Sequence, residues 1–296
     1  MDVLDELAVQ QRLHYQDLIP AIAQALAALS SGKVVQPVRA VLPVAPHHGF
    51  FAVMPAYAGA LGAKLVTFYP QNVGIHTHHA IIVLFKAETG EPLAMMDGRL
   101  ITEMRTAAAS AVATQRLARE DASVLAILGS GVQAKSHLAA LRHVRSFKEV
   151  RVWSPRNATA FAQRHGVKAV ATAADAVRGA DVVVVAASAT TPILQGRWLA
   201  PGAHVNAIGA TRPDWRELDD DLVTTARVFV DSREAALRES GDVIASRRGS
   251  EVTEIGAVVS GADPGRRTAE EITLFKSVGV AVEDVAAAAL VLQHTA

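Results

Sequence analysis

Gly129-Ser130-Gly131-Val132-Gln133-Ala134 has the residue types and spacing of a phosphate-cradling turn. It follows an apolar run and opens a stretch of helical character, which is the setting that the chemistry needs. Gly129 permits a tight turn, and Gly131 lets the backbone approach a pyrophosphate. Ala134 is small enough for the helix to pack closely on a sheet. The helix N-terminus then offers unpaired N–H groups and its positive dipole end to the phosphates. A nicotinamide dinucleotide is the expected ligand. The next strand ends in Trp153-Ser154-Pro155-Arg156-Asn157. An unphosphorylated ribose is usually met there by an acidic residue, and this stretch has none. Ser154 and Arg156 suit a 2′-phosphate, which a guanidinium meets with paired charge-assisted bonds. NADPH is expected ahead of NADH, with NADH as the alternative.

Three cations lie in otherwise apolar or small-residue surroundings. Arg39 follows Gln36-Pro37-Val38, Lys64 heads Lys64-Leu65-Val66-Thr67-Phe68, and Arg105 sits in an alanine-rich stretch. Together they suit an anionic substrate bearing a carboxylate. Taken singly, each is more commonly a surface cation or a structural ion pair. His76-Thr77-His78-His79 raises the question of a metal, because alternate histidines on a strand share a face. No carboxylate stands nearby in a recognisable ligand spacing, so no metal is expected. Neither a nucleophile-elbow serine nor a glycosidase-type acid pair is recognisable.

The elements that must position these residues divide the chain. A helix is expected over residues 17–29, with Pro20 in its first turn. Short β-rich runs at 38–44, 50–54, 63–69, 80–85 and 93–96 predict an antiparallel or mixed sheet. An alanine-rich helix is expected over 101–117. From residue 123 strands at 124–128, 149–153, 168–171, 181–186, 204–208 and 228–230 alternate in part with helices at 133–143, 158–165 and 173–178. Apolar strands separated by helices imply a parallel sheet covered on both faces. A last helix over 280–292 is expected to return to the first domain, making that domain discontinuous.

Acidic and basic residues balance at 29 each, which leaves no basic footprint for nucleic acid or an anionic membrane. The absence of cysteine removes disulfides, thiolate nucleophiles and thiolate metal sites together. Met1-Asp2-Val3-Leu4-Asp5-Glu6 is acidic where a signal peptide carries positive charge. The apolar runs at 182–187 and 285–292 are too short to span a bilayer. A cytoplasmic protein acting on a small molecule is expected.

Strings running almost from end to end resemble the ornithine cyclodeaminase/μ-crystallin family, most of all its μ-crystallin members, which are NADPH-dependent ketimine reductases. They include Gln36-Pro37-Val38-Arg39, Val53-Met54-Pro55-Ala56-Tyr57, Lys64-Leu65-Val66-Thr67-Phe68-Tyr69, Met96-Asp97-Gly98, Arg105-Thr106-Ala107-Ala108 and the turn from Gly129. Later ones are Arg212-Pro213-Asp214-Trp215-Arg216-Glu217-Leu218-Asp219-Asp220, Val230-Asp231-Ser232, Glu239-Ser240-Gly241-Asp242-Val243 and Phe275-Lys276-Ser277. The resemblance implies an α/β homodimer. Each subunit would carry a Rossmann-type parallel-sheet domain (119–277) inserted in a discontinuous α+β substrate and dimerisation domain (1–118 plus 278–296). It assigns Arg39, Lys64 and Arg105 to the substrate pocket, with Lys64 and Arg105 catalytic and Glu239 facing the ligand. For the cofactor it implies Thr77, His78 and Arg105, the turn residues Gly129, Ser130, Gly131, Val132 and Gln133, then Ser154, Arg156, Ala187, Ser188, Ile208 and Ser277.

Two departures bear on the reaction. Cyclodeaminases and the related archaeal alanine dehydrogenases carry an aspartate where this chain has Thr211, which argues against ornithine cyclodeamination. The arginine of the 2′-phosphate loop is displaced by one position by Pro155. The expected activity is hydride transfer to the C=N bond of cyclic ketimine carboxylates such as Δ1-piperideine-2-carboxylate or Δ1-pyrroline-2-carboxylate. The alternatives are ornithine cyclodeaminase, alanine dehydrogenase, or a non-catalytic binder of cofactor or an iodothyronine-like ligand.

Overall fold

Two-residue alternation in the first third of the chain builds a six-stranded sheet. The computed structural model describes residues 1–246 and 251–294. The strands are β1 (Asp2–Leu4), β2 (Ala40–Val44), β3 (Gly49–Ala58), β4 (Ala60–Phe68), β5 (His78–Phe85) and β6 (Pro92–Asp97), in the order β1-β6-β5-β4-β3-β2. β2 to β6 are antiparallel neighbours, and β1 joins β6 in parallel, so the sheet is mixed. Met54, Lys64, Ile82, Leu84 and Met96 are buried on one face. The C-terminal helix (Ala281–Gln293) packs on β3, β4 and β5, and α2 (Tyr15–Ser30) packs on that helix. A short α1 (Glu6–Arg12), capped by Asp5, lies against β6. α2 begins earlier than expected, so Pro20 sits inside it rather than in its first turn.

The opposite face of this sheet does not alternate with polar residues. Strand register puts Leu42, Phe51, Val53, Leu65, Ile81 and Val83 side by side there, all partly or well exposed. An antiparallel sheet with one solvated face would normally carry polar side chains on it.

Helix α3 (Arg99–Leu117) starts where Asp97 accepts the Arg99 and Leu100 amides at 3.0 and 3.2 Å. It spans the division of the chain into two compact units, Met1–Thr106 with Gly279–Ala296, and Ala107–Val278. The boundary thus falls at Thr106 rather than after residue 118. The reason is that the second half of α3 is part of the second unit's interior. There Ser110 meets His137 at 2.9 Å, and Thr114 accepts from Asn206 at 2.9 Å.

In the second unit every strand is parallel to its neighbours. In chain order it comprises β7 (Val124–Leu128), α4 (Val132–Leu141), β8 (Glu149–Trp153), α5 (Ala158–His165), β9 (Lys168–Ala169), α6 (Ala173–Val177), β10 (Val182–Val185), β11 (His204–Ala207), α7 (Asp220–Thr225), β12 (Arg227–Val230), α8 (Arg233–Glu239), α9 (Gly241–Ala245), β13 (Thr253–Glu254), α10 (Ile255–Val259) and β14 (Thr273–Lys276). The sheet order is β13-β12-β14-β11-β10-β7-β8-β9. The chain moves outward from β7 through β8 to β9, then returns to place β10 on the other side of β7. The gap between β7 and β10 is therefore the point where the strand order reverses, the usual ligand crevice of such sheets. All four residues of β10 are buried valines, as a strand covered on both faces requires.

Candidate functional site

The second unit collects its expected binding residues at one end of the sheet. The turn from Gly129 follows β7, Ser154 and Arg156 follow β8, Ala187 and Ser188 follow β10, Ile208 follows β11, and Ser277 follows β14. In a parallel sheet these are all carboxyl ends. Gly129 has φ 129°, and a Cβ there would collide with the Ala186 carbonyl, so the chain itself demands glycine. Gly131 differs: a Cβ there would meet nothing within 4 Å. Its smallness answers no neighbour in the chain and leaves room for a group outside it. Gly131 is also the N-cap of α4, with no side-chain cap to occupy the first amides. Ser130 Oγ donates to Ser154 Oγ at 2.8 Å, tying this turn to the end of β8, where Arg156 is exposed. A dinucleotide fits this surface. Ser277 is buried and donates to Asp231 at 2.8 Å, which leaves its oxygen able to accept.

The first unit holds the cations. Lys64 is 2% exposed, and its Nζ lies 2.7 Å from Asp284 Oδ2, which is wholly buried. Arg105 donates from Nε to Asp284 Oδ1 at 2.9 Å and from Nη1 to Glu283 at 2.6 Å. Arg39 donates to the Gly279 carbonyl at 2.6 Å. Gly279, at φ 77°, leads into the C-terminal helix, and a Cβ on it would press on the Arg105 guanidinium. Gln36 accepts the first-turn amide of Val282 at 2.9 Å. The string Gln36-Pro37-Val38-Arg39 thus anchors the helix that brings Glu283 and Asp284 in. Those carboxylates sit in the first turn, where the helix dipole favours them.

Burial pushes the Lys64 amine down to about 8, with the Asp284 charge opposing and Arg105 and Arg39 adding to the fall. The Asp284 carboxyl is held below its usual range: burial would raise it, but Arg105 and Lys64 outweigh that. His78 stacks on Phe68 with centroids 4.3 Å apart and takes its place beside Thr77 at 3.2 Å. Crowding around the ring and then the nearby Lys64 charge lower the imidazole below its ordinary range, although the residue as a whole stays exposed, so it is neutral near pH 7. Strand β5 starts at His78, which leaves His76 in the preceding loop instead of on a shared strand face. Among the described residues no cluster of three or more metal-ligating side chains forms.

A second buried cluster was not anticipated from sequence. Lys276 Nζ lies 2.6 Å from Glu217 and 3.2 Å from Asp242, all three essentially inaccessible. Glu217 accepts the Gly209 amide with both oxygens at 2.9 Å, and Asp242 Oδ1 accepts the Glu217 and Leu218 amides. Although burial works against it, the two carboxylates hold Lys276 above its ordinary range. Burial raises Glu217, with Lys276 opposing. The cluster pins both ends of the 209–217 loop, which carries Thr211. The signal was present in the strings containing Glu217, Asp242 and Lys276, which share no spacing in sequence. Glu239 is buried at the end of α8.

The sequence profile of the ornithine cyclodeaminase/mu-crystallin family matches residues 1–296. The ketimine reductase mu-crystallin of Mus musculus is 51% identical over 287 residues, covering 93% of this chain and 90% of that protein. The Δ1-pyrroline-2-carboxylate reductase of Thermococcus litoralis, solved with NADH and L-proline, has a TM-score of 0.95 at 36% identity, covering 100% of this chain and 97% of that one. An archaeal alanine dehydrogenase dimer with bound NAD has a TM-score of 0.93 at 33% identity, covering 100% and 96%.

Proposed function

As the chain belongs to the ornithine cyclodeaminase/mu-crystallin family, we propose that it reduces cyclic ketimine carboxylates, such as Δ1-piperideine-2-carboxylate or Δ1-pyrroline-2-carboxylate, with NADPH. The observation that carries this reading is the buried pairing of Lys64 and Arg105 with Glu283 and Asp284, beside which the part-buried Arg39 is fixed on the Gly279 carbonyl. Arg39 and Arg105 hold the substrate carboxylate and so fix the imine carbon in near-attack geometry. The bound cofactor supplies the hydride. Lys64 gives the imine nitrogen its proton, a role suited to an amine whose pKa lies near the working pH. His78, neutral near pH 7, adds no competing charge.

The turn Gly129–Gln133 and the first amides of α4 hold the pyrophosphate. Ser154 and Arg156 hold the 2′-phosphate, since no acidic residue closes β8 against it. Ala187, Ser188, Ile208, Ser277, Thr77, His78 and Arg105 complete the cofactor contacts, and Glu239 borders the substrate. Thr211, where an aspartate would serve deamination, favours reduction over the cyclodeaminase reaction.

A homodimer accounts for the apolar outer face of the first unit's sheet, and the archaeal relative is a dimer. No helix among the described residues is long and apolar enough to cross a membrane. With no cysteine in the sequence, the cytoplasm is the proposed compartment.

A panel of cyclic ketimines assayed with NADPH and NADH side by side tests the reading. Ketimine-dependent oxidation of NADPH is the expected result. Ammonia and proline from ornithine, oxidation driven only by pyruvate plus ammonia, or cofactor binding without turnover on any ketimine would each overturn it.

A further inference from the structure

The C-terminal helix contributes two carboxylates to a cage whose working groups come from other elements. They are not equivalent. Glu283 lies 2.6 Å from Arg105, whereas Asp284 spans two cations, at 2.7 Å from Lys64 and 2.9 Å from Arg105. We propose that Asp284 is a positioning residue for the reduction: it clamps Lys64 against Arg105 and keeps the lysine an ammonium, ready to protonate the imine. The inference rests on the reductase reading given above.

An ammonium has three N–H donors, and one directed at Asp284 leaves two for a ligand. Arg105 is held by both carboxylates through Nε and Nη1, which fixes the plane of its fork. In the reaction a hydride adds to the imine carbon, and the C=N π pair moves to nitrogen. That nitrogen takes a proton from Lys64, breaking one N–H bond of the ammonium and forming one on the product amine. Lys64 regains its proton from solvent. The sum is imine, NADPH and one proton giving amine and NADP⁺, with Asp284 ionised throughout.

The groups around Lys64 make Asp284 decisive. Arg105 on α3, Arg39 before β2 and the buried surroundings all oppose the charged lysine. His78 on β5, neutral near pH 7, contributes no anion. From the C-terminal helix Asp284 supports the ammonium directly, while Glu283 is engaged by Arg105. Without Asp284 the lysine would be expected to lose its proton within the physiological range.

The test compares Asp284→Asn, Asp284→Glu and Glu283→Gln with the wild type in two readouts. One is the titration of the Lys64 Cε resonance in ¹³C-lysine-labelled protein without substrate or cofactor, assigned by its loss in Lys64→Arg. The other is the pH profile of kcat/KM for ketimine reduction. The wild-type midpoint and the alkaline limb should both fall near 8. Asp284→Asn should move both to lower pH by about one to three units, the usual effect of one close opposite charge. Asp284→Glu should restore most of the shift, and Glu283→Gln should move the midpoint much less. A pH-independent fall in rate with the Lys64 midpoint unmoved would overturn the proposal. So would a wild-type Lys64 titrating at the ordinary 10.5, whether or not Asp284→Asn folds. If no form reduces any ketimine, the reductase reading fails, whereas the titration still decides whether Asp284 governs Lys64.

Discussion

Lys64 and Lys276 are both buried lysines paired with buried carboxylates, yet their titrations are displaced in opposite directions. Lys64 falls to about 8, because the desolvation cost and the charges of Arg105 and Arg39 outweigh Asp284. Lys276 rises, because Glu217 and Asp242 both face it at 2.6 and 3.2 Å and outweigh the same desolvation cost. Lys64 has one carboxylate close to it and two guanidiniums nearby, whereas Lys276 has two carboxylates close to it. The second cluster is closed on itself by backbone amides from Gly209, Glu217 and Leu218, and so acts as a latch on a loop.

Removing each lysine separates the two roles. Lys276→Met leaves the buried Glu217 without its cation and Asp242 with only Arg216 at 3.7 Å, and should cost about 3–5 kcal/mol of unfolding free energy. Lys64→Met should cost little at pH 7. The folded value lies below the unfolded one, so the charged lysine is a net burden at pH values below about 8, relieved as pH rises toward 10.5. Lys276 has the opposite sign, with its contribution complete below 10.5 and lost as pH rises through the folded value. Urea unfolding of both variants at pH 7 checks the contrast. Equal losses would remove the distinction.

Catalysis should divide the other way. Lys64→Ala and Arg105→Ala should each lower turnover by about 100-fold or more, with dinucleotide affinity measured by fluorescence nearly unchanged. Wild-type turnover in either variant would remove these residues from the chemistry.

The two glycines of the turn sharpen the comparison on the cofactor side. Gly131→Ala should weaken dinucleotide binding by about tenfold or more, because the added methyl enters the phosphate's space. It should leave thermal stability intact, since no protein atom lies within 4 Å of the new carbon. Gly129→Ala should lower both, as its backbone sits at φ 129° against Ala186. Smallest of all is Arg156→Ala, which should raise the KM for NADPH by about tenfold, the worth of one charge-assisted contact, and leave that for NADH unchanged. An equal effect on both cofactors would take Arg156 away from the 2′-phosphate.

Where periodicity was strong, the sequence was readable. The runs that became β2 to β12, and the helices α2 to α6 and the C-terminal one, could be located from apolar spacing and alanine content. β14 could not, although it lies inside the sheet between β11 and β12. Its four residues end in Lys276, and a lysine reads as an exposed position until its carboxylate partners are known. β1 and α7 to α10 are too short to show a period. The three cations of the first unit stood out because their neighbours are apolar. Glu283 and Asp284 did not, since acids in the first turn of an alanine-rich helix look like ordinary dipole complements. Their meeting with Lys64 depends on bringing the chain's last helix back onto β4, a long-range contact without a local signature.

Hydride transfer to a ketimine carbon is the central claim, and isotope placement tests it most directly. Protein mixed with Δ1-piperideine-2-carboxylate and NADPH bearing deuterium at the transferring C4 position should give a cyclic amino acid with deuterium at its α-carbon. Consumption of the ketimine with protium only at that carbon, or no reduced product while NADPH remains bound, would contradict the account.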